Sequence, residues 1–152
     1  MKKIIIFIHL FFILNYVALA HDYSKEDIEI DYPIIKVVKL DSKVGAGYMK
    51  IINKSNKKIK LISLEANIAK TQEIHEVIIE NDVYKMRPIN NGISIKPKEI
   101  LEFKSKSYHF MFFNFNKNLE DNGMLDAKLV FDKELVIPIK FKVIIGNNEH
   151  HH

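Results

Sequence analysis

Apolar and polar residues alternate along most of this chain with a period of two, the spacing of strands that bury one face. Residues 28–32 form the first such run. Pro33 has no N–H to give to a ladder, so it marks an edge or a bend. The pattern resumes over 34–40 and stops at Asp41, Ser42 and Lys43. Gly45, Ala46 and Gly47 open the run 48–52, and the turn formers between Asn53 and Asn56 close it. Residues 59–64 alternate next. Two β-rich arms, 73–80 and 83–87, flank Asn81 and Asp82, which predicts a hairpin whose second arm ends at Pro88. Short runs at 93–95, 100–103, 108–115, 127–131 and 135–145 complete the set, with a polar loop holding Gly123 before the last two. No stretch carries a convincing helical period; residues 65–72 allow one helical turn at most. Eight to ten strands at this spacing predict an all-β fold, an antiparallel two-sheet sandwich or barrel.

The first twenty residues have a different character. Lys2 and Lys3 precede a nearly unbroken apolar stretch over 4–14, and Ala18, Leu19 and Ala20 give the small-x-small pattern of a signal-peptidase site. As a membrane anchor the apolar stretch 4–20 falls short, having 17 residues with Asn15 inside, where a span needs about 20. We therefore expect a signal peptide over 1–20, cleaved after Ala20, and no membrane span in the mature form. Residues 21–152 then make one exported domain with flexible ends at about 21–26 and 146–152, and a periplasmic location follows. These 132 residues suffice for a real core. The whole chain carries a formal charge of +4, of which the leader's two lysines account for half. The remaining lysines are scattered, so nucleic acid is not an expected partner. Cysteine is absent, which excludes disulfides, thiolate ligands and dithiol redox chemistry. No Ser-His-Asp set, phosphate loop or paired-carboxylate site is visible, so hydrolytic and nucleotide chemistry have no support.

The mature chain keeps six histidines and four methionines. His21 is its first residue and His150, His151 and His152 its last three, leaving His75 and His109 inside the fold. With Asn81 and Asp82 as a two-residue turn, Val77 pairs with Met86, so His75 and Met86 share a face as diagonal neighbours. His109 and Met111 are two apart on one strand and also share a face, with Tyr108, Phe110 and Phe112 pointing the other way. Methionine in a strand ordinarily fills core, and a lone histidine is ordinarily a satisfied buried group. Spacing alone does not bring the two pairs together. If they converge, two imidazoles and two thioethers form a soft, neutral set that favours Cu(I) over zinc, iron or calcium.

The segments Val44-Gly45-Ala46-Gly47-Tyr48-Met49, Ile74-His75-Glu76, Lys85-Met86-Arg87-Pro88 and Tyr108-His109-Phe110-Met111 resemble the periplasmic copper chaperone family PCu(A)C. That family's signature is a His, ten residues, a Met, about twenty-one residues, then His-x-Met. Here the spacers are 10 and 22 residues, and the extra one fits the turns around Gly92 or Pro97. The resemblance implies a cupredoxin-like β-sandwich, expected to be a monomer, that binds Cu(I) through His75, Met86, His109 and Met111. It also implies delivery to the dinuclear copper centre of cytochrome c oxidase, alongside a thioredoxin-like copper chaperone, with no catalysis. Relatives with copper sites in their tails make His21 and His150 to His152 accessory candidates for Cu(II), although Glu149 to His152 equally resembles an expression-tag remnant.

Two rival readings remain open at this stage. A mononuclear copper redox enzyme would use the amine and ring of His21, and a plain structural sandwich would use its His and Met residues for packing. Met49 is expected in the core and Met124 outside any site. Glu73, more than Glu76, is placed to orient the His75 ring, and Phe110, Phe112 and Phe113 are candidates for excluding water.

Overall fold

The computed structural model describes residues 23–146. The leader, His21 and His150 to His152 lie outside the described residues. Eleven strands run in the order β1 (Tyr23–Lys25), β2 (Ile28–Val37), β3 (Val44–Asn53), β4 (Ile59–Glu65), β5 (Ala69–Glu80), β6 (Val83–Pro88), β7 (Ile93–Ile95), β8 (Ile100–Phe103), β9 (His109–Phe115), β10 (Met124–Phe131) and β11 (Val136–Ile145). The described residues contain no helix, and β5 begins where a helical turn was allowed.

Tight turns set three of the hairpins. Glu26 and Asp27, Asn81 and Asp82, and Lys133 and Glu134 each hold positive φ at both positions, the backbone that matches the twist of paired strands. The first of these turns forms β1 from residues expected within a flexible end. Tyr23 pairs with Ile30, and its hydroxyl accepts a hydrogen bond from the Lys140 amide at 2.9 Å. A three-residue strand is too short for alternation to reveal it.

The strands form one path, β6-β5-β9-β3-β2-β11-β10-β4-β7, with β1 added on β2 and β8 on β3. Pairings are antiparallel except that β11 runs parallel to β2. Pro33 explains how β2 serves two neighbours. Residues 28–30 pair with β1 and residues 34–37 with β11, and the register against β3 shifts between Asp31 and Ile34. The proline therefore falls where the strand changes partner and bulges, at Tyr32 with φ 50°.

The sheet curls until its apolar face meets itself. Strands β9 and β11 are three places apart, roughly 14 Å in a flat sheet. Yet the Phe112 and Phe141 rings meet edge to face with centroids 5.5 Å apart, and Phe110 meets Phe141 at 6.4 Å. Phe103 stacks on Phe110 at 4.3 Å. Phe110, Phe112 and Phe141 are fully buried with Ile30, Ile35, Ile51, Leu129 and Val143, and Met49 joins them as expected.

Room for the β9 aromatics comes from β3. Gly45 and Gly47 stand opposite Phe112 and Phe110. A Cβ on Gly47 would lie 2.8 Å from the Phe112 ring and 3.1 Å from the Phe110 Cβ. Gly47→Ala should therefore overpack the core and lower unfolding free energy by about 1–3 kcal/mol. Urea denaturation followed by circular dichroism checks this, and an unchanged midpoint would mean the rings have somewhere else to go.

Candidate metal centre

Alternation in three neighbouring strands builds the site. The β5–β6 hairpin pairs Glu80 with Val83 and Val77 with Met86, so Met86 shares the face of Val77 and His75. The β5–β9 ladder pairs His75 with His109 and Glu73 with Met111. Phe110 and Phe112 point into the core, so His109 and Met111 take the other side. His75, Met86, His109 and Met111 thus share one face, on the side of the sheet away from the sandwich interior. The two imidazole centroids are 5.8 Å apart, tilted by 59°. Met86, His109 and Met111 line one open concavity of about 370 Å³. His75 flanks it, its ring also against Phe113 at 6.3 Å.

Each histidine is oriented by an acceptor, and the acceptors set the tautomers. Glu73 Oε2 lies 2.6 Å from His75 Nε2, and a carboxylate oxygen only accepts, so in the neutral ring it is Nε2 that carries the N–H. The proton then sits on Nε2, and Nδ1 keeps its lone pair. That Nδ1 is buried and has no hydrogen-bond partner. For His109 the roles invert, because Nδ1 lies 3.0 Å from the Ser107 carbonyl and must donate to it, leaving the Nε2 lone pair. An imidazole whose second nitrogen is held by a carboxylate or a carbonyl is the usual arrangement of a metal-bound histidine. A buried lone pair without a donor is a cost that a cation relieves.

The donors present select the kind of ion. Among the described residues no group of three or more His, Cys, Asp or Glu could hold a metal. Hard or borderline cations that want carboxylates or thiolates are thus poorly served, whereas two imidazoles beside two thioethers suit a soft monovalent ion. Burial differs sharply across the set: His109 is 5% exposed and Met86 61%. The site is buried at His109 and open at Met86.

Several neighbours went unnoticed in the sequence. Ala46 pairs with Met111 across the β3–β9 ladder and leaves room beside the thioether. Tyr48, whose phenol is pushed up by burial and stays neutral, lines the same concavity, as do Val77, Tyr84 and Lys106. The Lys106 ammonium lies 5.4 Å from the centre of the Tyr84 ring. Tyr84 was legible in principle, being two residues from Met86 and on its face. Lys106 sits in the β8–β9 turn, where no periodicity operates. Glu76 pairs with Arg87 on the opposite face from His75. Phe110 and Phe112 pack the core, and only Phe113 of that trio reaches the site. Met124 opens β10 on another part of the sheet.

The model of the LpqE-like lipoprotein family matches residues 28–143. A search of curated proteins finds no match. Among solved structures, a copper-bound PCuAC domain from PmoF2 superposes with a TM-score of 0.68 at 17% identity, over 83% of this chain and 99% of that one. Apo-DR1885 from Deinococcus radiodurans gives 0.63 at 14% identity, over 96% of this chain and 97% of that one. The CuI form of DR1885 gives 0.58 at 18% identity, over 74% of this chain and 75% of that one. At these identities the likeness establishes a shared fold.

The tautomers are directly measurable. Long-range ¹H–¹⁵N correlation spectra of the metal-free protein should show Nε2–H with bare Nδ1 for His75 and the reverse for His109. The same tautomer on both rings would contradict the hydrogen bonds to Glu73 and Ser107.

Proposed function

This chain belongs to the LpqE-like family, and from that membership and the geometry of the His–Met face we propose that it is a periplasmic copper chaperone, binding Cu(I) and passing it to an acceptor. The ligands are His75 through Nδ1, His109 through Nε2, and the sulfurs of Met86 and Met111. What carries this reading is the buried, partnerless Nδ1 of His75, held beside a second imidazole and a concavity walled by two thioethers. Two structures of the same fold are described as copper-bound or CuI forms, which supports copper as the cargo.

A neutral shell leaves the complex with the single charge of the ion, which an open site tolerates. Neither thioether nor neutral imidazole loses a proton on binding, so loading and release need no proton transfer. The two histidines, on interior strands, hold the ion. Met86, on an edge strand, is the ligand that an acceptor replaces first. Transfer is exchange of ligands at constant oxidation state, so the protein binds and delivers without catalysis. The acceptor that suits this cargo is the dinuclear copper centre of cytochrome c oxidase or a thioredoxin-like copper chaperone serving it.

Met86→Leu and Met111→Leu are near-isosteric, so each should cost less than about 1.5 kcal/mol of stability. Cu(I) affinity, measured by competition with a chromogenic chelator under reducing conditions, should fall at least tenfold for either variant, the loss of one soft ligand. Full affinity in the double variant would remove both methionines from the site. Glu73→Gln takes away the carboxylate that fixes the His75 ring and should weaken Cu(I) binding about 10- to 100-fold.

A further inference from the structure

The strand that carries Met86 is an open edge. In the strand path β6 is terminal, and among the described residues nothing pairs with its outer side. One bond sets which of its backbone groups face outward. Ile89 N donates to Ile74 O at 2.7 Å, continuing the register that pairs His75 with Pro88 and Val77 with Met86. In an antiparallel ladder hydrogen-bonded and non-bonded pairs alternate. Arg87, Lys85 and Val83 therefore bond inward to β5, while Tyr84 and Met86 aim both N–H and C=O away from the sheet. Pro88 is the third outward position, where the missing N–H costs the β5 ladder nothing.

We infer that β6 is the docking edge for the copper acceptor, taking an extended acidic segment of it as an added antiparallel strand. This rests on the copper-binding reading and supplies how a partner reaches the metal. A strand bonded to the outward groups of Met86 sets its own residue directly opposite, about 5.5 Å away at Cα and on the same face. A thioether or imidazole there reaches the ion as the Cu–S bond to Met86 lengthens. One Cu–ligand bond forms while one breaks, and no electron or proton moves. Sheet addition of this kind takes affinity from main-chain bonds and specificity from alternate side chains.

Charge selects the occupant. On the opposite face β6 presents Lys85 and Arg87; both meet Glu80, and Glu76 stands across the ladder from Arg87, but these two carboxylates belong to β5, so a strand added on the outer side meets the cations first. The partner residues on either side of the incoming ligand lie against these two cations, so the fitting pattern is acid, soft ligand, acid. A second copy of β6 would set cations against cations, and self-pairing is disfavoured. The other terminal strand, β7, has three residues and no ligand. Edge strands without such a purpose are usually short or covered; β6 has six residues, all exposed.

The test uses metal-free protein labelled with ¹⁵N and two capped peptides, Thr-Val-Glu-Met-Glu-Val-Thr and Thr-Val-Lys-Met-Lys-Val-Thr. The acidic peptide should shift β6 resonances and slow hydrogen exchange at the Tyr84 and Met86 amides severalfold, and the basic one should do neither. Tyr84→Val and Tyr84→Pro both lose the ring, but only the proline loses the outward N–H. Peptide binding should survive in the first and drop severalfold in the second. Reversing charge with Lys85→Glu and Arg87→Glu together should transfer the preference to the basic peptide. Absent β6 shifts at millimolar acidic peptide, or equal binding by the valine and proline variants, would overturn the docking edge. If Tyr84→Pro does not fold, amide protection in the unaltered protein decides alone. Failure of Cu(I) titration would instead remove the chaperone reading and leave the peptide result standing.

Discussion

Everything at the site depends on the pleat of β9 being held in one register. Phe110 and Phe112 are sunk in the core, Phe110 stacked on Phe103 and both set edge-on to Phe141 from across the curled sheet. Each buried ring removes a large apolar area from water, worth about 1.5–3 kcal/mol. A slip by one residue would expose both and bury His109 and Met111 in their place. The glycines of β3 are the other half of the constraint, since side chains there would occupy the space the rings use. Core packing thereby determines where the imidazole and thioether of β9 point.

In the proposed reading the same sheet divides the labour of holding and releasing copper. His75 and His109 face each other across the β5–β9 ladder, deep among paired strands and braced by Glu73 and the Ser107 carbonyl. Met86 stands one strand further out, where β6 has neither a cover nor a second neighbour among the described residues. Proximity to the edge lowers the cost of local opening, because fewer contacts are lost when an edge strand moves. The chaperone role proposed above would use this gradient, with buried ligands on one side and a replaceable one on the other.

Much of this was readable from residues alone, and the reasons are local. The Asn81–Asp82 turn fixed the pairing of Val77 with Met86, because a two-residue turn permits one register. Alternation in 108–115 placed His109 and Met111 opposite Phe110 and Phe112. The convergence of the two pairs was not readable, since it requires β5 to lie beside β9, strands separated by three others in sequence. The parallel pairing of β2 with β11 and the three-residue β1 were likewise hidden, one being long-range and the other too short for a period. The Glu73 contact was anticipated from its spacing to His75. Lys106 was not, because a turn residue acquires its neighbours only from tertiary structure.

X-ray absorption on the Cu(I)-loaded protein puts the central proposal to its most direct test, because it counts sulfur and nitrogen neighbours without assuming which residues supply them. Two sulfur and two nitrogen scatterers at about 2.0–2.3 Å are expected. A first shell made of nitrogen and oxygen alone would contradict it.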